Sequence, residues 1–213
     1  MVYSVKEIYY TLQGEGAKAG HPAVFCRFSG CNLWSGREVD RPISPCHFCD
    51  TDFVGTDGPG GGTFSSPREL GVAVKDKFPV SKSDQVRRLV VCTGGEPLLQ
   101  LDQSLLDAFH SLQFEVAVET NGTLQPPAGI DWVCVSPKAG VELKLRSGDE
   151  LKLVFPQEGI EPEDFESLHF RFFFLQPKDG PDIQQNTQQA IRYCLEHPKW
   201  RLGLQMHKII GIP

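Results

Sequence analysis

The sequence predicts an α/β protein built as a reduced, incomplete (β/α) barrel with a mostly parallel sheet. Seven short apolar runs rich in Val, Phe or Leu are bounded by Gly, Pro, Asp or Asn, as strands are. Three helix candidates fall between some of them, and strands alternating with helices build βαβ units on a parallel sheet. Five strand ends run into polar, Gly-containing or charged turns, and in parallel β/α folds the chemistry gathers at that edge. Seven strands with three helices fall short of the eightfold barrel, and a doubly wound open sheet is the competing fold.

The first run is AVFCRF (23–28). SPRELGVAVKDKF (66–78) reads as a helix, with Ser66 as N-cap and Pro67 at the first helical position. RLVVC (88–92) is the next strand and runs into TGGEP. LDQSLLDAFHSL (101–112) has apolar residues at three- and four-residue spacing, the mark of a helix face. FEVAVE (114–119), DWVCVS (131–136), ELKLVF (150–155) and LHFRFFFL (168–175) follow as strands. DIQQNTQQAIRYCLEH (182–197) is an amphipathic helix that begins at Asp182 and is ended by Pro198. RLGLQM (201–206) is the last expected strand, and GTDGPGGGTF (55–64) reads as a surface loop. No internal repeat or boundary divides the chain, so residues 1–213 are expected to form one domain.

A composition of 40% hydrophobic and 23% charged residues is that of a folded globular chain. A net charge of −6 argues against a broad phosphate-binding surface, so nucleic acid is not the expected partner. The opening stretch MVYSVKEIYYTLQGEG lacks the apolar segment of a signal peptide, and nowhere do eighteen apolar residues run together. A cytoplasmic protein with no membrane association is expected. In a reducing compartment grouped cysteines bind metal or do chemistry.

Seven cysteines divide into two kinds. Cys26, Cys92, Cys134 and Cys194 lie inside apolar strands or a helix, where a thiol is usually inert core. Cys31, Cys46 and Cys49 lie in loop sequence after a strand, spaced C-x14-C-x2-C. A structural zinc would take a fourth ligand, for which His47 or His21 is available. Three thiolates alone suit an iron–sulfur cluster with one open iron. Spacing leaves the two readings level. TGGEP (93–97) favours the second, since its glycines let backbone approach a ligand and Glu96 offers an acceptor to an amine. Neither GEGAKAG nor GPGGGT has the pattern of a dinucleotide or phosphate loop.

Cys31, Cys46, Cys49 and TGGEP together resemble the radical S-adenosylmethionine enzymes, whose usual spacing is C-x3-C-x2-C. LQGEG (12–16), FCRFSGCNL (25–33), CDTDF (49–53), ETNGT (119–123), SPK (136–138) and QPKDG (176–180) narrow the resemblance to the 7-carboxy-7-deazaguanine synthase family, some of whose members have a widened cysteine loop. The resemblance implies a [4Fe–4S] cluster on the three cysteines and S-adenosylmethionine on its free iron. It implies a radical that abstracts hydrogen from C6 of 6-carboxy-5,6,7,8-tetrahydropterin. Ring contraction with loss of ammonia would then give 7-carboxy-7-deazaguanine, a queuosine precursor.

Roles follow from the resemblance by position. Phe48, Asp50, Gly95, Glu96, Ser136 and Lys138, with Gln176, Pro177, Lys178 and Asp179, match segments that contact S-adenosylmethionine. Leu12, Gln13, Gly14, Glu15, Arg27 and Thr93 match substrate-binding positions, and His207 and Pro213 match residues that close the substrate pocket. Arg27 also makes independent sense, because a guanidinium is the natural fork for a carboxylate. Thr51 matches a Mg²⁺ ligand, and the hard oxygens of Asp50 and Asp52 beside it suit that ion. No catalytic side chain is assigned beyond the cluster and cofactor. The family also implies a homodimer and an electron-donor protein such as flavodoxin or ferredoxin. Two other classes remain in view: an activase that makes a glycyl radical on another protein, and a zinc-stabilised binding module.

Overall fold

A computed structural model describes residues 2–79 and 88–213. Among the described residues nine strands form one sheet: β1 (Tyr3–Leu12), β2 (Pro22–Phe28), β3 (Gly62–Phe64), β4 (Arg88–Gly94), β5 (Phe114–Thr120), β6 (Trp132–Val135), β7 (Ser147–Phe155), β8 (His169–Pro177) and β9 (Trp200–Leu202). Their order is β3-β1-β2-β4-β5-β6-β7-β8-β9. From β2 to β9 every neighbouring pair is parallel, whereas β1 is antiparallel to both β2 and β3. The helices are α1 (Pro67–Lys75), α2 (Gln103–Ser111), α3 (Ile183–Glu196) and α4 (Met206–Ile210).

Helix starts follow from capping chemistry. The Ser66 side chain accepts from the Glu69 N–H and Pro67 needs no donor, so α1 begins where the sequence places it. Asp102 caps α2 through the Leu105 N–H at 2.9 Å. Both helices bury one face, through Leu70 and Val74 in α1 and Leu105, Leu106 and Phe109 in α2. These side chains meet Val24, Cys26, Val90, Cys92, Val116 and Val118 in one apolar cluster. Ala190 of α3 joins a second cluster with Leu151, Leu153, Phe173 and Leu175.

Leu98 and Val133 pack against both clusters, so α1, α2 and α3 cover the same face of the sheet. That arrangement excludes the doubly wound alternative, which needs helices on both faces. β5 to β6 and β6 to β7 are joined without helices, as a reduced barrel requires. The opposite face carries a small apolar cluster low in the sheet, Ala23, Phe25, Leu89, Val91 and Ala117, with Trp132 packed against it and stacked on Phe172. Above it, toward the carboxyl ends, the inward residues turn polar.

Three elements differ from expectation. The expected strand 201–206 ends at Leu202, and Met206–Ile210 is helical. There the Met206 N–H bonds the Gly14 carbonyl at 2.9 Å, and the chain folds back over the mouth. β3 falls within the expected loop 55–64, where its three residues pair with β1. β1 lies where no strand was expected, because a bulge between Val5 and Glu7 shifts its register and breaks the two-residue alternation.

Candidate active site

The expected mouth is a cavity of about 360 Å³ at the carboxyl ends of the parallel strands. Cys31, Cys46 and Cys49 all line it. The intervening loop is drawn closed by Arg41, whose Nη1 donates to the carbonyls of His47 and Cys49, both at 2.9 Å. The same guanidinium lies 4.1 Å from the Trp34 ring centre, and Trp34 meets Phe53 edge to face. Ser44 Oγ donates to the Leu33 carbonyl at 2.8 Å, so both ends of the loop are tied together beside Cys31.

The Leu33 N–H points at Cys31 Sγ, 3.4 Å away. Cys49 is drawn down to about 6, first by a hydrogen bond with the Cys46 thiol and also by the Lys138 cation. Burial pushes Lys138 below its ordinary range, while the two thiols pull it back. Its Nζ donates to Ser136 O and Oγ at 2.7 Å, and no carboxylate among the described residues salt-bridges it. A half-buried cation in the field of two thiols suits an anionic group there.

Neither His21 nor His47 lines the cavity, and His47 packs edge-on to Phe48, so neither completes a zinc site. Among the described residues no three His, Cys, Asp or Glu side chains converge to hold a lone ion. The three thiols instead border an open space, as a polynuclear cluster with a free corner requires.

TGGEP sits where it was expected, but part of its chemistry differs. A Cβ on Gly95 would lie 2.1 Å from the Gly30 carbonyl oxygen and 2.8 Å from Cys31 Cβ. A Cβ on Gly94 would lie 2.2 Å from the Phe28 oxygen. The glycines therefore let β4 press against the approach to Cys31, and Gly95 also lines the cavity. Glu96 does not: its side chain is fully buried, accepting from Leu98 N, Thr120 Oγ1 and Asn121 N at 2.7–3.0 Å. Its carboxylate is spent on the end of β5 rather than on a ligand amine. Burial raises its pKa, opposed by those three donors. Asn121 in turn donates to Asn32 Oδ1 at 2.9 Å, which ties β5 to the residue after Cys31.

One layer of inward residues carries alternating charge across the strands. Glu7, Arg27 and Thr93 are successive partners on β1, β2 and β4. Arg27 donates from Nε to Glu7 Oε1 and from Nη2 to the Tyr9 hydroxyl, both at 2.8 Å. Thr93 Oγ1 reaches Glu119 Oε2 at 3.3 Å, and Gln13 Nε2 donates to Glu119 Oε1 at 3.0 Å. Beyond them Lys152 Nζ bonds Glu15 and lies 3.8 Å from Glu119. Burial alone would raise Glu15, but Lys152, Gln205 and His207 together take it below the usual carboxylate range. Burial would likewise lower Lys152, and Glu119 and Glu15 override it upward. The layer offers a forked cation at one end and buried acceptors at the other, suited to a flat heterocycle bearing a carboxylate.

The remaining expected residues gather here as well. Leu12, Gly14, Phe48, Asp50, Thr51, Gln176, Pro177, Lys178, Asp179, His207 and Pro213 all line the cavity. A Cβ on Gly14 would meet His207 Nδ1 at 2.4 Å, so the glycine makes room for that imidazole. Lys208 bridges Asp50 at 2.6 Å and Asp179 at 2.5 Å, holding the C-terminal segment to the cysteine loop. Asp52 is engaged by Lys6 at 2.9 Å and is largely exposed, so of the CDTDF oxygens Thr51 is the least committed.

Glu7, Tyr9, Glu119, Lys152 and Gln205 line the cavity without having been singled out. Glu119 lies in ETNGT, and the alternation of ELKLVF puts Glu150 and Lys152 on the face opposite Leu151 and Leu153. Cys134, expected as inert core, is buried but faces the cavity.

No family model matches the chain. It is 60% identical over 213 residues to a 7-carboxy-7-deazaguanine synthase of Caulobacter vibrioides, covering 100% of both chains. A protein of the same name from Bordetella pertussis is also 60% identical over 213 residues with the same coverage, and one from Bacteroides thetaiotaomicron is 41% identical over 212 residues. Among solved structures, the crystal structure of QueE from Escherichia coli matches with a TM-score of 0.72 at 28% identity, covering 97% of this chain and 95% of that one.

Proposed function

The chain belongs to the 7-carboxy-7-deazaguanine synthase family, and from that membership we propose which of its residues hold the cluster, the cofactor, the metal and the substrate. The activity is that of a radical S-adenosylmethionine lyase acting on a small molecule in the queuosine pathway. The substrate is 6-carboxy-5,6,7,8-tetrahydropterin, converted to 7-carboxy-7-deazaguanine and ammonia. One observation carries the residue assignment: the three loop thiols and the Arg27–Thr93–Glu119 layer open on the same cavity.

Cys31, Cys46 and Cys49 would hold the [4Fe–4S] cluster, with Lys138 offsetting its charge. Phe48, Asp50, Gly95, Ser136 and the segment Gln176–Asp179 would cradle S-adenosylmethionine. Bound there, the pair would supply the one-electron chemistry for taking a hydrogen atom from C6 of the substrate. Glu96 serves this site by fixing the β5 turn. Arg27 takes the substrate carboxylate, while Gln13, Thr93 and Glu119 receive the heterocycle's polar edge. His207 and Pro213 cover the bound substrate, and the cover keeps water from a reactive centre. Thr51, with substrate oxygens and water, supplies the Mg²⁺ position.

Family membership also supports a homodimer fed by flavodoxin or ferredoxin in the cytoplasm. No described helix is long and apolar enough to cross a membrane. The test is anaerobic reconstitution and reduction with S-adenosylmethionine and 6-carboxytetrahydropterin. Formation of 7-carboxy-7-deazaguanine with release of ammonia is expected, and Arg27→Met should suppress it. Cofactor cleavage without pterin consumption would favour the glycyl-radical activase instead.

A further inference from the structure

β1 carries a bulge at the edge of the substrate layer, and the bulge has a visible result. Side chains two apart on a strand share a face, so a regular β1 would send Glu7 toward the core beside Val5. The register shift between Val5 and Glu7 changes the phase. Tyr3, Val5 and Ile8 all enter the helix-side core, while Glu7 and Tyr9 face the cavity. Bulges gather next to active sites, where they re-aim side chains.

Glu7 then stands opposite Arg27 and accepts from its Nε, and the Tyr9 hydroxyl accepts from Nη2, each at 2.8 Å. Tyr9 is itself fixed, its ring stacked on Phe25 at 5.5 Å with 10° between planes. Two of the three guanidinium nitrogens are thus held. Nη1 makes no hydrogen bond to any described residue. The ion pair is mostly buried, with the Arg27 side chain 18% and that of Glu7 25% exposed.

We propose that Glu7 and Tyr9 are positioning residues that fix the Arg27 fork with its Nη1 edge toward the cavity, and so set the preference for a pterin bearing a carboxylate over one without it. This rests on the reading that Arg27 takes the substrate carboxylate. A free guanidinium would sample many orientations, and holding it in advance removes that cost from binding. Glu7 also offsets part of the charge, so recognition depends on aim as well as attraction.

The test measures binding of two unreactive probes, oxidised 6-carboxypterin and unsubstituted pterin, by calorimetry. The protein is the reconstituted enzyme with S-adenosylmethionine, kept unreduced. Tyr9→Phe should lower the preference for the carboxylated probe by about tenfold or more, the low end of the worth of one hydrogen bond to a charged group, with pterin affinity unchanged. Glu7→Ala should do the same, and Glu7→Gln, which keeps an oxygen for Nε, should restore most of it. Arg27→Met should abolish the preference and make added Tyr9→Phe silent. If Arg27→Met abolishes the preference while Tyr9→Phe and Glu7→Ala leave it intact, the positioning role is overturned and the Arg27 reading stands. Equal weakening of both probes by Tyr9→Phe also overturns it, since that is the mark of a merely structural residue. A preference that survives Arg27→Met overturns the carboxylate reading itself.

Discussion

Lys152→Met should destabilise the fold by about 3 kcal/mol at pH 7, and the loss should shrink in acid. Lys152 is 8% exposed, and its ammonium bonds Glu15, which is 13% exposed. Glu119, 22% exposed, lies 3.8 Å away. Met has nearly the volume of the Lys stem, so the packing change is small. What remains is a charge effect, because two carboxylates lose their shared cation. Breaking a buried pair from one side costs about 3–5 kcal/mol. Gln205 at 3.0 Å and Gln176 at 3.4 Å still donate to Glu15, which puts the expectation at the lower end.

The pH dependence has a definite sign. In the wild type burial raises Glu15, but Lys152, with help from Gln205 and His207, takes the folded carboxyl below its ordinary range. That contribution is present above the unfolded carboxylate pKa, about 4.3, and is lost as pH falls through the folded value. Without Lys152 only Gln205, Gln176 and His207 oppose burial, and the folded pKa rises. The variant then gains stability relative to the wild type as pH falls. Urea unfolding of the cluster-free chain at pH 8, 7, 6 and 5, followed by tryptophan fluorescence, measures the difference. A gap under about 1 kcal/mol at pH 7, or a gap independent of pH, would refute the reasoning.

Gly95→Ala must move the Cys31 approach by roughly 1.3 Å, the gap between 2.1 Å and an ordinary 3.4 Å contact. Iron bound per chain after reconstitution should drop, and turnover should fall about a hundredfold or more. Cys46→Ser should leave the fold intact by circular dichroism and abolish the iron–sulfur absorption band. Phe109→Ala, at a fully buried position of α2, should cost about 3–5 kcal/mol in unfolding while iron per folded chain stays unchanged. Lys208→Met frees Asp50 and Asp179 from each other. KM for S-adenosylmethionine should rise several-fold, with a smaller change in kcat.

The parallel core was legible because β2, β4, β5 and β8 are short apolar runs with clear stops. β1 was not, since its bulge breaks the alternation and leaves Tyr3, Val5 and Ile8 at spacings of two and three. The last strand was overextended because Leu204 and Met206 carry the apolar alternation past Leu202, yet the Gly14 carbonyl takes the Met206 N–H and turns the chain.

The site was legible where residue type and motif coincide, as at Cys31, Cys46, Cys49 and Gly95. Glu96 was misread as a ligand acceptor, because nothing local shows that Thr120 and Asn121, more than twenty positions away, supply its donors. Lys152 was passed over because a Lys in an apolar strand reads as an edge charge. Only the fold brings Glu15 and Glu119 to it. The conformation of the loop between Cys31 and Cys46 depends on Arg41 and Ser44 contacts that spacing does not encode.

The most direct test is the Mössbauer spectrum of the anaerobically reconstituted chain, recorded with and without S-adenosylmethionine. Three thiol ligands with one open corner predict about four irons per chain and a single iron site whose signal changes when the cofactor is added. Tightly bound zinc with no cluster, or four iron sites indifferent to the cofactor, would contradict the assignment of Cys31, Cys46 and Cys49.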